Sequence, residues 1–143
     1  MPSRQPIGEF LAELGARTPA PASGTAAALT AAMGAALAEL AAGYAKDDEA
    51  VARAKTLVAR LEELADEDAE AYAAFMASRN EETRRRTIEV PEEIATCADE
   101  AAEIADRLAA TLRTSVAGDA EAAARLSRAA AGVARRLAEL NAA

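Results

Sequence analysis

The sequence predicts an all-α domain, and three observations carry that prediction. Apolar residues make up 52% of the chain but aromatics only 3%, with no Trp, so the apolar content is mostly Ala, Leu, Val and Ile. Alanine is the best helix former, and its small side chain lets helix axes approach closely. The strand-favouring residues Val, Ile, Thr and Tyr are too sparse for a β-protein, and larger apolar residues recur at helical spacing. The 143 residues suit one core, so residues 1–143 are expected to form a single alanine-rich bundle of about five helices.

Each element follows from local signals. Pro2 and Pro6 bracket a start expected to be disordered. A short helix is expected from about Ile7 to Ala16, with Ile7, Phe10, Leu11 and Leu14 on one face. The stretch Thr18 to Thr25 is expected to be loop, because proline disfavours helical backbone in the residue before it. Ser23 or Thr25 is placed to cap the second helix, which runs to about Ala45. Leu29, Met33, Leu37, Leu40 and Tyr44 form its large-residue stripe, and its other faces are almost all Ala or Gly. Such a helix is buried or packs on a second subunit. Gly34 and Gly43 point to close backbone approach or a helix end.

Asp47 and Asp48 are expected to cap a third helix from about Asp48 to Ser78, with a core face of Val51, Leu57, Val58, Leu61, Leu64, Tyr72, Phe75 and Met76. Asn80 caps a short charged helix to about Glu89, and Val90-Pro91 reads as a stop and restart with Pro91 at a first helical position. The fourth helix carries Ile94, Cys97, Ile104, Leu108 and Leu112. Gly118-Asp119 then breaks the chain and caps a fifth, marked by Leu126, Val133, Leu137 and Leu140.

Composition also bounds function. The formal net charge is −8, from 16 basic and 24 acidic residues. An acidic surface argues against nucleic acid and anionic membranes as partners. No segment reads as a signal peptide or a bilayer span, and the single Cys97 cannot form an intramolecular disulfide, so a cytoplasmic location is expected. The chain has no histidine, so it holds no His general base, Ser–His pair or His-ligated metal. Chemistry falls to carboxylates, Lys, Tyr, hydroxyls, backbone groups or a bound cofactor.

Asp68 is the foremost candidate. It lies four residues after Leu64 and four before Tyr72, which puts a carboxylate on an apolar stripe. Burial there raises the pKa of a carboxylate and makes it a tunable acid or base. The alternative is a slightly rotated helix with Asp68 at the boundary beside Arg60 or Arg79. The loop Pro19 to Thr25 opens onto a helix N-terminus, a natural anion or carbonyl site, or is an ordinary connection. Arg84, Arg85 and Arg86 read as a solvated face or as a clamp for a carboxylate-bearing tail. Cys97 falls on the core stripe and is expected to be inert.

Several segments resemble the cyclodeaminase/cyclohydrolase family in family order. Glu9-Phe10-Leu11-Ala12-Glu13-Leu14, then Pro19-Ala20-Pro21 and Gly24-Thr25-Ala26-Ala27-Ala28-Leu29, resemble its F-L-x-x-L helix, its P-x-P-G-G-G-S loop and its alanine-rich helix. Asp68-Ala69-Glu70-Ala71-Tyr72 resembles its D-x-x-A-F/Y segment, Val90-Pro91 its V-P pair, and Asp119 its S-D segment. The resemblance implies an all-helical homodimer that acts on a one-carbon-substituted tetrahydrofolate. The reaction would be deamination of a formimino group or opening of a methenyl ring, with no metal or redox cofactor. It implies Asp68 as the proton-transfer residue. Pro21, Ser23, Gly24, Thr25 and Tyr72 would border the substrate, together with Lys46 and Asp119. The glycine stretch reads Ala22-Ser23-Gly24-Thr25 here, and Tyr44 stands where the family has a basic residue, with Lys46 two places later. If the lost glycines served positive φ or close ligand approach, Ala22 and Ser23 would obstruct it. Two other readings stand beside the first: a catalytically silent helical accessory subunit, and a same-fold enzyme acting on another small heterocycle.

Overall fold

The computed structural model describes residues 1–113 and 115–143. A 3-10 turn, Pro2–Arg4, precedes five α-helices: α1 (Ile7–Leu14), α2 (Ser23–Tyr44), α3 (Asp48–Ala77), α4 (Glu81–Thr111) and α5 (Val116–Ala142). The four long helices form the bundle, with α2 packed against α3, α4 and α5. The short loops between them make sequence neighbours antiparallel. α1 lies at the edge and buries only Phe10.

The core is built from small residues. α2 buries Ala27, Ala28, Ala31, Ala35, Ala38, Ala41 and Ala42, and α5 buries Ala120, Ala123, Ala130, Ala131 and Ala134. Leu57, Leu61, Leu64, Val90 and Ile94 on α3 and α4 supply most of its bulk. Gly34 packs directly on α5, where an added Cβ would overlap Ser127 Oγ and lie 3.1 Å from the Ala123 carbonyl. Gly43 lies at the end of α2.

This packing overturns the expected large-residue stripes. Met33 is 56% exposed and Tyr44 67%, and Leu40, Leu126, Val133 and Leu140 are exposed as well. Alanine faces bring helix axes together, so the contacts are made by backbone and methyl groups and the larger side chains turn outward. On α3, Tyr72 and Met76 are likewise exposed. α2 is also long and apolar enough to cross a membrane by length and composition, contrary to the sequence expectation, though half of its apolar window is buried inside the bundle.

The element ends correct several further expectations. The N-terminal stretch is ordered, because buried Asp66 accepts hydrogen bonds from Ser3 N (3.0 Å) and Ser3 Oγ (2.5 Å). Asp47 caps α3 as expected, accepting from Ala50 N, and Asn80 forms a capping box with Thr83 at the start of α4. That helix does not stop at Val90. It runs through Pro91, which lacks an N–H and so leaves the Thr87 carbonyl without its usual helical donor. Asn141 Nδ2 on α5 donates to that carbonyl at 2.8 Å, and this cross-helix bond lets the helix continue. α5 begins at Val116 with Ser115 as its N-cap residue, so Gly118 and Asp119 lie inside its first turn rather than before it.

Candidate active site

α2 starts without help from its own cap. Its N-cap residue is Ala22, which has no side-chain acceptor, and neither Ser23 nor Thr25 caps it as expected, because both already lie within the helix. The first amides of a helix require an acceptor or solvent. Asp68, projecting from α3, brings its carboxylate to that end of the helix. Thr25 Oγ1 donates to its Oδ2 at 3.3 Å. Thr25 is fully buried, and its hydroxyl is also 3.3 Å from the Ala65 carbonyl.

Gly24 makes this contact possible. A Cβ on Gly24 would overlap both carboxylate oxygens and the carboxyl carbon of Asp68. The residue is glycine for close approach, not for backbone conformation, since none of the described glycines has positive φ. Positive φ is likewise not used at the two preceding positions of the loop. Ala22 is extended, with φ −141°, and Ser23 is helical.

Asp68 is half-buried. Burial pushes its pKa up from the usual carboxylate value, and the Thr25 hydroxyl and amide partly oppose that shift. The carboxyl group therefore holds a proton more readily than a free one and can both give and take it. It borders a cavity of about 210 Å³ lined from four directions. The Pro19–Ala20 loop and the α2 N-terminus (Ala22, Ser23, Gly24) form one wall, and Asp68, Ala69 and Tyr72 of α3 another. Thr87 and Pro91 of α4 face Leu137 and Asn141 of α5.

Most of the site residues expected from the sequence meet here. Asp68, Ser23, Gly24 and Tyr72 line the cavity, while Thr25 and Pro21 are buried behind it. Lys46 and Asp119 do not join it within one chain. α2 is 22 residues long, so its far end lies about 33 Å from its start at 1.5 Å per residue. Lys46 sits beyond that end with φ 57°, where its amide donates to the Gly43 carbonyl and the Asp47 amide to Ala42. That pair of bonds is a Schellman closure, normally built on glycine. Asp119 stands in the first turn of α5, whereas the last turns of that helix reach the cavity. The arginine run is engaged locally: Arg84 donates to the Ala142 carbonyl, Arg85 pairs with Glu89 and Arg86 with Glu67. Cys97 is half-buried, and burial pushes its thiol pKa up.

Sequence patterns alone missed Thr87, Pro91, Leu137 and Asn141. A usable signal was present in Pro91, which inside a helix demands an outside donor for the carbonyl four residues earlier.

A family model described as formiminotransferase-cyclodeaminase matches residues 6–143. The chain belongs to that family. A crystal structure of formiminotetrahydrofolate cyclodeaminase from Thermotoga maritima is similar to this family member, with a TM-score of 0.91 and 23% identity over 97% of this chain and 79% of that one. At that identity the likeness establishes the shared cyclodeaminase fold. No curated relative of the domain is matched significantly. In this chain the proline loop, the close-approach glycine and the aspartate form one physical unit.

Proposed function

We propose that this domain acts on a one-carbon-substituted tetrahydrofolate held in the cavity beside Asp68. The reading rests on family membership and on one observation: a carboxylate of raised pKa, fixed at a helix N-terminus, that borders a cavity large enough for part of a heterocycle. In the formimino reaction a second folate nitrogen attacks the formimino carbon, and the bond from that carbon to its amino nitrogen breaks. Asp68 takes the proton from the attacking nitrogen and returns one to the departing nitrogen, which leaves as ammonia. In the methenyl reaction water adds to the same carbon and Asp68 takes one of its protons; Asp68 then returns that proton to the ring nitrogen whose C–N bond breaks, while the adduct hydroxyl loses its proton to solvent as the formyl carbonyl forms. The carboxylate stabilises the positive charge that the one-carbon unit carries in its amidinium-like methenyl form, the product of the first reaction and the substrate of the second. The Ser23 and Gly24 amides are placed to hold a carbonyl or anionic group of the ligand. The family relation and the Asp68 geometry favour this reading over a silent accessory subunit.

We further propose that the domain works as a homodimer. The support is its outward apolar surface on α2, where Met33, Leu40 and Tyr44 are exposed next to the exposed Ile7 and Leu11 of α1. The test of function is direct. Incubation with 5-formiminotetrahydrofolate should release ammonia and produce the near-ultraviolet absorbance of the methenyl product. Absence of turnover on formimino and methenyl substrates, together with no binding of 5-formyltetrahydrofolate at millimolar concentration, would remove the folate reading.

A further inference from the structure

Asn141 lines the same cavity as Asp68, and its amide is not free to turn. The Thr87 carbonyl has lost its helical donor to Pro91 and can only accept, so the Asn141 NH2 group must face it. The side-chain oxygen is thereby directed away from Thr87, and no donor among the described residues reaches it. Asn141 is half-buried, and its backbone is held in the last turn of α5, where Arg84 also binds the Ala142 carbonyl.

We infer that Asn141 determines ligand specificity by accepting, through Oδ1, a hydrogen bond from an N–H group of the bound heterocycle. The inference rests on the folate reading above and deepens it. The cavity then offers two complementary features: N–H donors from the start of α2, and a fixed neutral acceptor on the opposite wall. A ring that carries a carbonyl beside an N–H or amino group fits both. An ether or aromatic ring nitrogen in place of that N–H would meet Oδ1 with a lone pair and be rejected.

Asn141→Ala alone would remove both the acceptor and the support of Thr87, so the test uses two backgrounds. In Pro91→Ala the new amide donates to Thr87 itself, and Asn141 is no longer needed for the helix. Binding of 5-formyltetrahydrofolate is measured by calorimetry in the native, Asn141→Ala, Pro91→Ala and doubly substituted chains, with Tm recorded for each. Asn141→Ala should weaken binding roughly threefold to tenfold in both backgrounds, while its effect on Tm is confined to the background that retains Pro91. Unchanged affinity on adding Asn141→Ala to the Pro91→Ala chain overturns the inference and leaves the folate reading standing. No binding by the native chain overturns both.

Discussion

The Asp68 carboxyl group occupies the space in which residue 24 would carry a β-carbon. Two helices distant in sequence thus share one site, and its geometry depends on the smallest side chain on one of them. Gly24→Ala tests this relationship. The methyl group forces Asp68 to another rotamer and separates it from Thr25. Helix propensity improves by about 1 kcal/mol, against roughly 1–3 kcal/mol for the overlap. Thermal unfolding should therefore shift modestly downward, whereas turnover should fall at least a hundredfold. Near-native turnover would show that the Asp68 position is not required.

Asp68→Asn separates chemistry from stability. The amide keeps the shape and can still accept from Thr25, but it cannot transfer a proton, so kcat should fall by roughly 10²–10⁴. Its stability effect has the opposite sign. The folded pKa of Asp68 is raised, so its favourable contribution is fully present below the usual 3.8 and is lost as pH rises through the raised value. The Asn variant should gain in Tm relative to the parent as pH rises from about 3 to about 7. A variant less stable than the parent at neutral pH would contradict the burial argument.

The ion pairs act in the other direction. Hydrogen bonds from Arg60 hold the Glu93 pKa down, and those from Arg53 do the same for Glu100. Each contributes stability that is present above its usual value of 4.5 and is lost as pH falls through its depressed folded value. Unfolding midpoints should decline below about pH 4.5, and less steeply in Arg60→Met. These pairs are partly exposed, so salt should reduce the difference. A decline identical in the two proteins would show that other groups govern acid unfolding.

The contact between α2 and α5 makes a paired prediction. Ser127 Oγ is buried without a hydrogen-bond partner among the described residues, and Gly34 faces it. Ser127→Ala should stabilise the fold by about 1 kcal/mol, because an unpaired buried hydroxyl is removed. Gly34→Ala should destabilise by roughly 1–3 kcal/mol through overpacking. Combining the two should recover part of that loss, as denaturant titration would show. Strict additivity would mean that the two residues do not meet.

Dimerisation is tested on the outward face of α2. Light scattering should give twice the mass of the 14.7 kDa chain. Leu40→Lys with Met33→Glu should reduce it to the monomer mass while leaving far-ultraviolet circular dichroism intact. A parent protein already monomeric at high concentration would exclude this interface.

The fold class and five-helix count were legible because alanine content and helical spacing are local properties of the chain. Asp68 was legible as well, since its register among Leu64 and Tyr72 needs only the 3.6-residue period. That α4 passes through Pro91 was not legible. A proline forbids one intrahelical bond, and the substitute donor, Asn141, is 54 residues away from Thr87. The outward turn of Met33 and Leu40 was hidden for a related reason, because hydrophobicity ranks them above alanine while close axial packing selects for size. Local chemistry thus accounts for the helices, their approximate ends and one acid on an apolar stripe. Folding added that Asp68 meets Thr25 at the start of α2, that Gly24 leaves room for it, and that Lys46 and Asp119 lie at the other end of the bundle. Those facts depend on contacts between separate helices, and no local pattern records them.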